Sequence, residues 1–205
     1  GLFDDAKLDE LVSVLNSPHH WQTQKHTYSA LYVDDNEWNN SDNEERFVKR
    51  DIWRREVNKS KFINPQVDPS NVAHEFLSFL RGDEFLSLLS RIFNVTLTDK
   101  NVANPEINTN YFRLSSSDFV EQHADDSPGR EVCMLLYLNK GWKSDSGGEL
   151  VFLCDGKEPI HIAPLYNRCV LFDPCSPGSE HLVKRLNSQL ENVFRYNVTS
   201  WYWSE

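Results

Sequence analysis

Apolar residues recur at helical intervals in the first half of the chain and alternate over short runs in the second. Leu8, Leu11, Val12 and Leu15 form an i, i+3, i+4, i+7 stripe, which predicts an amphipathic helix over Asp4 to Leu15 that ends before Pro18. Thr27 to Val33 reads as a short strand. The polar run from Asp34 to Glu45 reads as a mobile loop whose place suits a lid. Asp68-Pro69-Ser70 offers a cap with proline in the first turn, and Val72, Phe76, Phe79 and Leu80 follow at helical intervals until Gly82. A second stripe runs from Asp83 through Phe85, Leu86, Leu88, Leu89, Ile92 and Phe93. Both stripes call for burial against a sheet.

From about Ile107 the pattern changes to short β-rich runs broken by turn residues: INTNYFRL, DFVEQHAD, EVCMLLYLN, ELVFL, IHIAP, RCVLFD and VFRYNVTSWYW. So many closely spaced strands predict a mainly β fold, a sandwich or barrel with helices on one outer face. A length of 205 residues suits a single domain over 1–205, with 1–106 mostly helical support that shapes the substrate entrance and 107–205 the β core.

Composition narrows the possible partners. Thirty-one Asp and Glu against 21 Lys and Arg give a net charge of -10, which disfavours a nucleic-acid backbone. The one dense basic run, Lys49 to Arg55, is broken by Asp51, Ile52 and Trp53 and reads as a solvated amphipathic face. No run approaches the ~18 apolar residues of a membrane span. Cys133, Cys154, Cys169 and Cys175 show no CxxC spacing and read as free thiols in a reducing cytoplasm. A monomer or weak dimer is expected.

The candidate chemistry starts in FVEQHADDSPGR, residues 119–130. On a strand, residues two apart point to the same side at about 6.6 Å, so His123 and Asp125 can share one metal ion. A third ligand would complete the facial triad of non-haem Fe(II) sites, and His181, placed after the turn Asp173-Pro-Cys-Ser-Pro-Gly, is the best candidate. Alone, an HxD triplet arises by chance, and Asp125-Asp126 before Ser127-Pro128-Gly129 could simply open a turn. The last strand adds a second signal. Alternation puts Arg195, Asn197, Thr199 and Trp201 on one face, and a guanidinium inside a barrel is costly unless it meets an anion, either a cosubstrate carboxylate or an Asp of the protein.

These motifs in order, His123-Ala124-Asp125, EVCMLLYLNKGW, SGGEL, His181 and RYNVTSWY, resemble the Fe(II)- and 2-oxoglutarate-dependent oxygenases, and their prolyl-hydroxylase branch in particular. They span roughly Tyr111 to Trp203. The resemblance implies a double-stranded β-helix of the jelly-roll or cupin type, buttressed by N-terminal helices. It implies Fe(II) held by His123, Asp125 and His181, with 2-oxoglutarate and O₂ as cosubstrates. Arg195 and Tyr137 would bind the distal carboxylate, Thr199 would lie near it, and Leu150 and Trp201 would line the pocket. An acidic residue at 125 implies hydroxylation rather than halogenation. The spacing from His181 to Arg195 is longer than the family's, so Lys184 and Arg185 compete on paper with Arg195.

The implied activity is hydroxylation of an unactivated C–H of an amino-acid residue, prolyl first, in a peptide or protein. A free amino acid or other small metabolite is the alternative, which a second buried Arg would favour. Arg113 and Tyr111, before the metal strand, are expected to reach the substrate. A zinc hydrolase would leave Arg195 and Tyr137 without a purpose. A nucleic-acid demethylase would need a second Arg where Trp201 stands. A non-catalytic cupin-like binding module is the remaining class.

Overall fold

The computed structural model describes residues 2–53, 71–100, 102, 108–154 and 156–204. The expected cap at Asp68-Pro69-Ser70, and Arg54, Arg55 and Ile107, lie outside the described residues. Helix α1, Asp5–Leu15, is started by the Asp4 carboxylate, which accepts from the Lys7 amide, and it buries Leu8, Leu11 and Leu15. Helices α3, Asn71–Leu80, and α4, Asp83–Phe93, follow the two predicted stripes. Asn94 in the left-handed region closes α4.

The polar run expected to be a mobile loop is instead folded. Asp34 and Glu37 form a reciprocal capping box that starts α2, Asp35–Asn40, and a 3₁₀ turn follows at Asn43–Glu45. Trp38 anchors α2, only 7% exposed, with the Arg46 guanidinium 4.8 Å above its ring. The strand expected at Thr27 to Val33 lies earlier, as β1, Gln22–Thr27. Ala30 and Thr27 exchange backbone hydrogen bonds in a turn directly after it, so the chain reverses where a strand was expected.

β1 pairs antiparallel with β2, Arg46–Trp53, from Gln22 opposite Ile52 to His26 opposite Val48. This corrects the reading of Lys49 to Arg55 as a solvated face, because β2 is a central strand. β1 takes one of its edges, and β4, Thr109–Leu114, and β5, Phe119–His123, follow one another along the other edge, within the strand path β8-β7-β10-β5-β2-β4-β11-β6-β9. The other strands are β3, Leu97–Thr98; β6, Arg130–Tyr137; β7, Leu150–Phe152; β8, Ile160–Ile162; β9, Arg168–Phe172; β10, His181–Val183; and β11, Arg195–Ser204. Every pairing among the described residues is antiparallel.

The sheet curls until its two ends meet, with the Phe152 and Phe172 rings 5.0 Å apart edge to face. This is the jelly-roll architecture that the sequence implied, with helices on one outer face. Alternation divides the strands cleanly. Val132, Met134, Leu136, Val198 and Tyr202 face outward and pack with Leu8, Leu11, Leu15, Leu77, Leu80 and Leu89 of the helices. Cys133, Leu135, Tyr137, Leu150 and Phe152 face inward. The apolar burial on the outer face is the main source of stability, which leaves the inner face free for polar groups. No helix among the described residues is long and apolar enough to cross a membrane.

Candidate active site

His123 ends β5 and His181 starts β10, and the two strands pair with these residues directly opposite each other. Asp125 follows two residues beyond β5. The three side chains bring His Nε2 and carboxylate oxygens within 4.8 Å of one another. His123 Nε2 is 3.8 Å from Asp125 Oδ1, and His181 Nε2 is 3.7 Å from Oδ2. Those gaps exceed hydrogen-bond length but suit three ligands at about 2.0–2.2 Å around one ion.

The backbone fixes which nitrogen is free. His123 Nδ1 lies 2.9 Å from the Glu121 carbonyl and His181 Nδ1 2.8 Å from the Ser179 carbonyl. A carbonyl can only accept, so each Nδ1 carries the proton and each Nε2 presents its lone pair to the centre. Burial, with His181 next to it, pushes the His123 pKa down to about 4, so the ring stays neutral. Burial opposes charge on Asp125, but His123, His181, the Trp201 indole and Arg130 outweigh it and hold the carboxyl below its usual range. Trp201 Nε1 donates to Asp125 Oδ2 at 3.0 Å, so this residue, expected to line the pocket, also orients a ligand.

Deeper in the barrel lies Arg195, 1% exposed. Its Nε donates to the Gly148 carbonyl at 2.7 Å and its Nη1 to Asn197 Oδ1 at 2.8 Å, while Asn197 Nδ2 reaches Thr199 Oγ1 at 2.9 Å. Nη2 is buried without a hydrogen-bond partner, and so is the Tyr137 hydroxyl beside it. The guanidinium lies 4.9 Å from the Tyr137 ring. Burial pushes the Tyr137 pKa up to about 12, against the pull of Arg195. Two orphaned donors at the end of a cavity fit a carboxylate, since each would otherwise be left with its full desolvation penalty. Lys184 and Arg185 do not compete, because each pairs at the surface with a carboxylate, Glu149 and Glu121 respectively.

A cavity of about 440 Å³ joins the two groups, and Leu150, Thr199 and Trp201 line it together with the ligand triad and Arg195. Tyr111 and Arg113 do not reach it. Across the β4–β11 pair, Leu114, Phe112 and Asn110 stand opposite Arg195, Asn197 and Thr199, and directly opposed residues share a face. The odd positions therefore point outward. Tyr111 is buried under α3, its hydroxyl donating to the Ala73 carbonyl. Arg113 pairs with Asp51 at 2.9 Å, sandwiched by Trp21 and Phe194.

The cavity wall that sequence reasoning missed comes from β1 and β2: Gln24, His26, Val48, Arg50 and Ile52. One signal was available, since Val48, Arg50 and Ile52 are i, i+2, i+4 and place an Arg between two apolar residues on one face.

A curled antiparallel jelly roll with two imidazoles and one carboxylate at an inner mouth, and a buried guanidinium behind them, defines the class of non-haem Fe(II) enzymes that use a keto-acid. Residues 109–203 match the family model for the 2OG-Fe(II) oxygenase superfamily, whose members use Fe(II), 2-oxoglutarate and O₂. Among curated relatives, prolyl 3-hydroxylase OGFOD1 of Mus musculus is 27% identical over 146 residues, covering 66% of this chain and 25% of that protein. The chain thus spans about a quarter of that relative's length. The fold is shared with a prolyl hydroxylase solved in complex with a hypoxia-inducible-factor oxygen degradation domain peptide from Trichoplax adhaerens, with TM-score 0.65 and 20% identity, over 99% of this chain and 80% of that one. It is shared also with a Pseudomonas putida prolyl-4-hydroxylase, with TM-score 0.54 and 18% identity, over 97% and 98% of the two chains.

Proposed function

We propose that this chain is a 2-oxoglutarate- and Fe(II)-dependent dioxygenase that hydroxylates an amino-acid residue, prolyl first, in a peptide or protein. The observation that carries this reading is the pairing, in one cavity, of a preset His123–Asp125–His181 cluster with the unpartnered Nη2 of Arg195, beside the Tyr137 hydroxyl. A cupin-like module that merely held a metal would have no use for that second group. The prolyl assignment draws support from the relatives, which are named for prolyl hydroxylation.

In this reading His123, Asp125 and His181 hold the iron, and the bound ion supplies oxidising power by coupling O₂ reduction to loss of CO₂ from 2-oxoglutarate. The chain's residues orient the reactants. The Nδ1 carbonyl contacts of both histidines stop the rings from turning or taking a second proton. Trp201 holds Oδ2 of Asp125 and so fixes the orientation of that carboxylate. Arg195 Nη2 and the Tyr137 hydroxyl grip the distal carboxylate of 2-oxoglutarate, with Thr199 beside the Asn197 amide that steadies the guanidinium. Leu150, in the cavity wall, keeps water from that end. The free thiols among the described residues fit a reducing compartment such as the cytoplasm.

The test is direct. Purified protein is given Fe(II) and 2-oxoglutarate under argon and then air, with a panel of prolyl peptides and free amino acids. Succinate formation together with a 16 Da gain on a prolyl peptide supports the reading. Failure to make succinate with any member would remove it.

A further inference from the structure

Arg50 is a charged residue of the cavity that the iron and 2-oxoglutarate leave unused. It is intermediate in exposure and lines the cavity. The guanidinium lies flat against Phe112, 3.6 Å from the ring centroid, and Nε donates to Gln24 Oε1 at 2.7 Å. Gln24 is itself 5% exposed. Stacking and that one bond fix the plane of the group. Its two terminal nitrogens make no hydrogen bond among the described residues, nor does Arg50 form an ion pair with any of them. Apart from Arg195, whose free nitrogen is assigned above, several other arginines are matched to acceptors. Arg81, Arg113 and Arg185 each meet a carboxylate, and Arg130 bonds the Asp125 carbonyl.

The charges in the cavity say what is missing. Arg50, Arg130 and Arg195 line it against Asp125 and Asp126, so one positive charge is in excess. Fe(II) and the 2-oxoglutarate dianion cancel each other and leave that excess in place. A half-buried cation with two unbonded terminal nitrogens is better met by an anion, and a neutral carbonyl would satisfy the donors without balancing the charge. A carboxylate does both, through a bidentate pair. Phe47, Val48, Ile52, Phe112 and Val120 give the same cavity apolar lining beside polar Gln24, Asn108 and Asn110, which suits a partly aliphatic body carrying one charged group.

We propose that Arg50, positioned by Gln24 and Phe112, binds a carboxylate of the substrate and so selects for anionic substrates. This rests on the dioxygenase reading above and adds a requirement to it: the hydroxylated residue brings a carboxylate close to the target carbon. Two sources share that chemistry, the carboxylate of a free amino acid and an acidic or C-terminal carboxylate next to the target in a peptide.

Binding, not turnover, tests it. The full chain is loaded with Mn(II) and 2-oxoglutarate under argon and titrated calorimetrically with matched probes: N-acetyl-L-proline against its carboxamide, L-proline against L-prolinamide, and a pentapeptide Ala-Ala-Pro-Asp-Ala amide against its Asn form. In wild type the charged member of at least one pair binds tenfold or more tightly. In Arg50→Met that preference falls to about one, Arg50→Lys keeps part of it, and 2-oxoglutarate affinity stays within twofold. A preference confined to the first two pairs assigns the free acid, and one confined to the peptides assigns the peptide carboxylate. Equal binding within every pair overturns the proposal. So does a tenfold loss of 2-oxoglutarate affinity in Arg50→Met with the preference intact, which would give Arg50 to the cosubstrate. Melting curves confirm that both variants fold. Succinate formation by wild type reports separately on the dioxygenase reading, so either idea can fail while the other stands.

Discussion

Tyr137→Phe isolates a group whose expected effects on stability and on binding have opposite signs. The hydroxyl is buried and makes no hydrogen bond within the protein, while the ring packs against Cys133, Leu135 and Leu150. Removing the oxygen keeps that packing and deletes a desolvated polar atom, for which the usual penalty is about 1–3 kcal/mol. The metal-free variant should therefore melt no lower than wild type, and roughly 2–4 °C higher for each kcal/mol gained in a domain of this size. With 2-oxoglutarate bound, the same hydroxyl donates to a carboxylate, and a hydrogen bond to a charged group contributes about 1.5–3 kcal/mol. Affinity for 2-oxoglutarate should fall roughly 10- to 150-fold. Differential scanning calorimetry of the metal-free form and isothermal titration of 2-oxoglutarate into the Mn(II)-loaded form read the two quantities. A melting point several degrees lower, with unchanged 2-oxoglutarate affinity, would make Tyr137 an ordinary core residue and refute the reasoning.

Asp125→Ala should abolish tight Mn(II) binding, seen as loss of the enhanced water-proton relaxation of the protein-bound ion, while leaving the fold intact, because the helix-facing core does not include this residue. Gly147→Ala should prevent soluble folding: the residue has φ +74° and an added Cβ would lie 2.2 Å from the Arg185 carbonyl oxygen, which expression and circular dichroism will report. In the metal-free protein His123 titrates near 4 rather than 6.5. Between those values the unfolded chain binds a proton that the folded chain refuses, so stability is complete above about pH 6.5. It is lost as pH falls toward 4, by up to about 3 kcal/mol, as urea titrations at a series of pH values will show.

The strongly periodic parts of the molecule were legible in the sequence. The stripe of α1, the alternation that sends Arg195, Asn197, Thr199 and Trp201 to one face, and the seven β-rich runs each carry their own period. The convergence of His123, Asp125 and His181 followed because the first two sit two residues apart and the third opens a strand. What was hidden lacked period or depended on partners. In β4, TNYFRL, Tyr111 and Phe112 are both buried, so nothing in the run says which parity faces the cavity, and only pairing with β11 decides it. The Asp34 to Glu45 run looked like a loop because it is polar, yet its DxxE capping box and one buried Trp38 suffice for a short helix. Arg50 was read as surface because charge density outweighed its apolar neighbours at 48 and 52.

β2 comes from the first quarter of the chain, yet one of its edges bridges β4 and β5 in the barrel wall while the other pairs with β1. The oxygenase half therefore cannot be excised: a fragment beginning near residue 107 would expose two unpaired strand edges and lose Arg50 together with one wall of its own cavity. The same interleaving lets the β1–β2 hairpin remodel the reacting chamber without disturbing the ligand triad. Diversification of substrate in such a scaffold can proceed from its amino-terminal hairpin while the iron chemistry stays untouched.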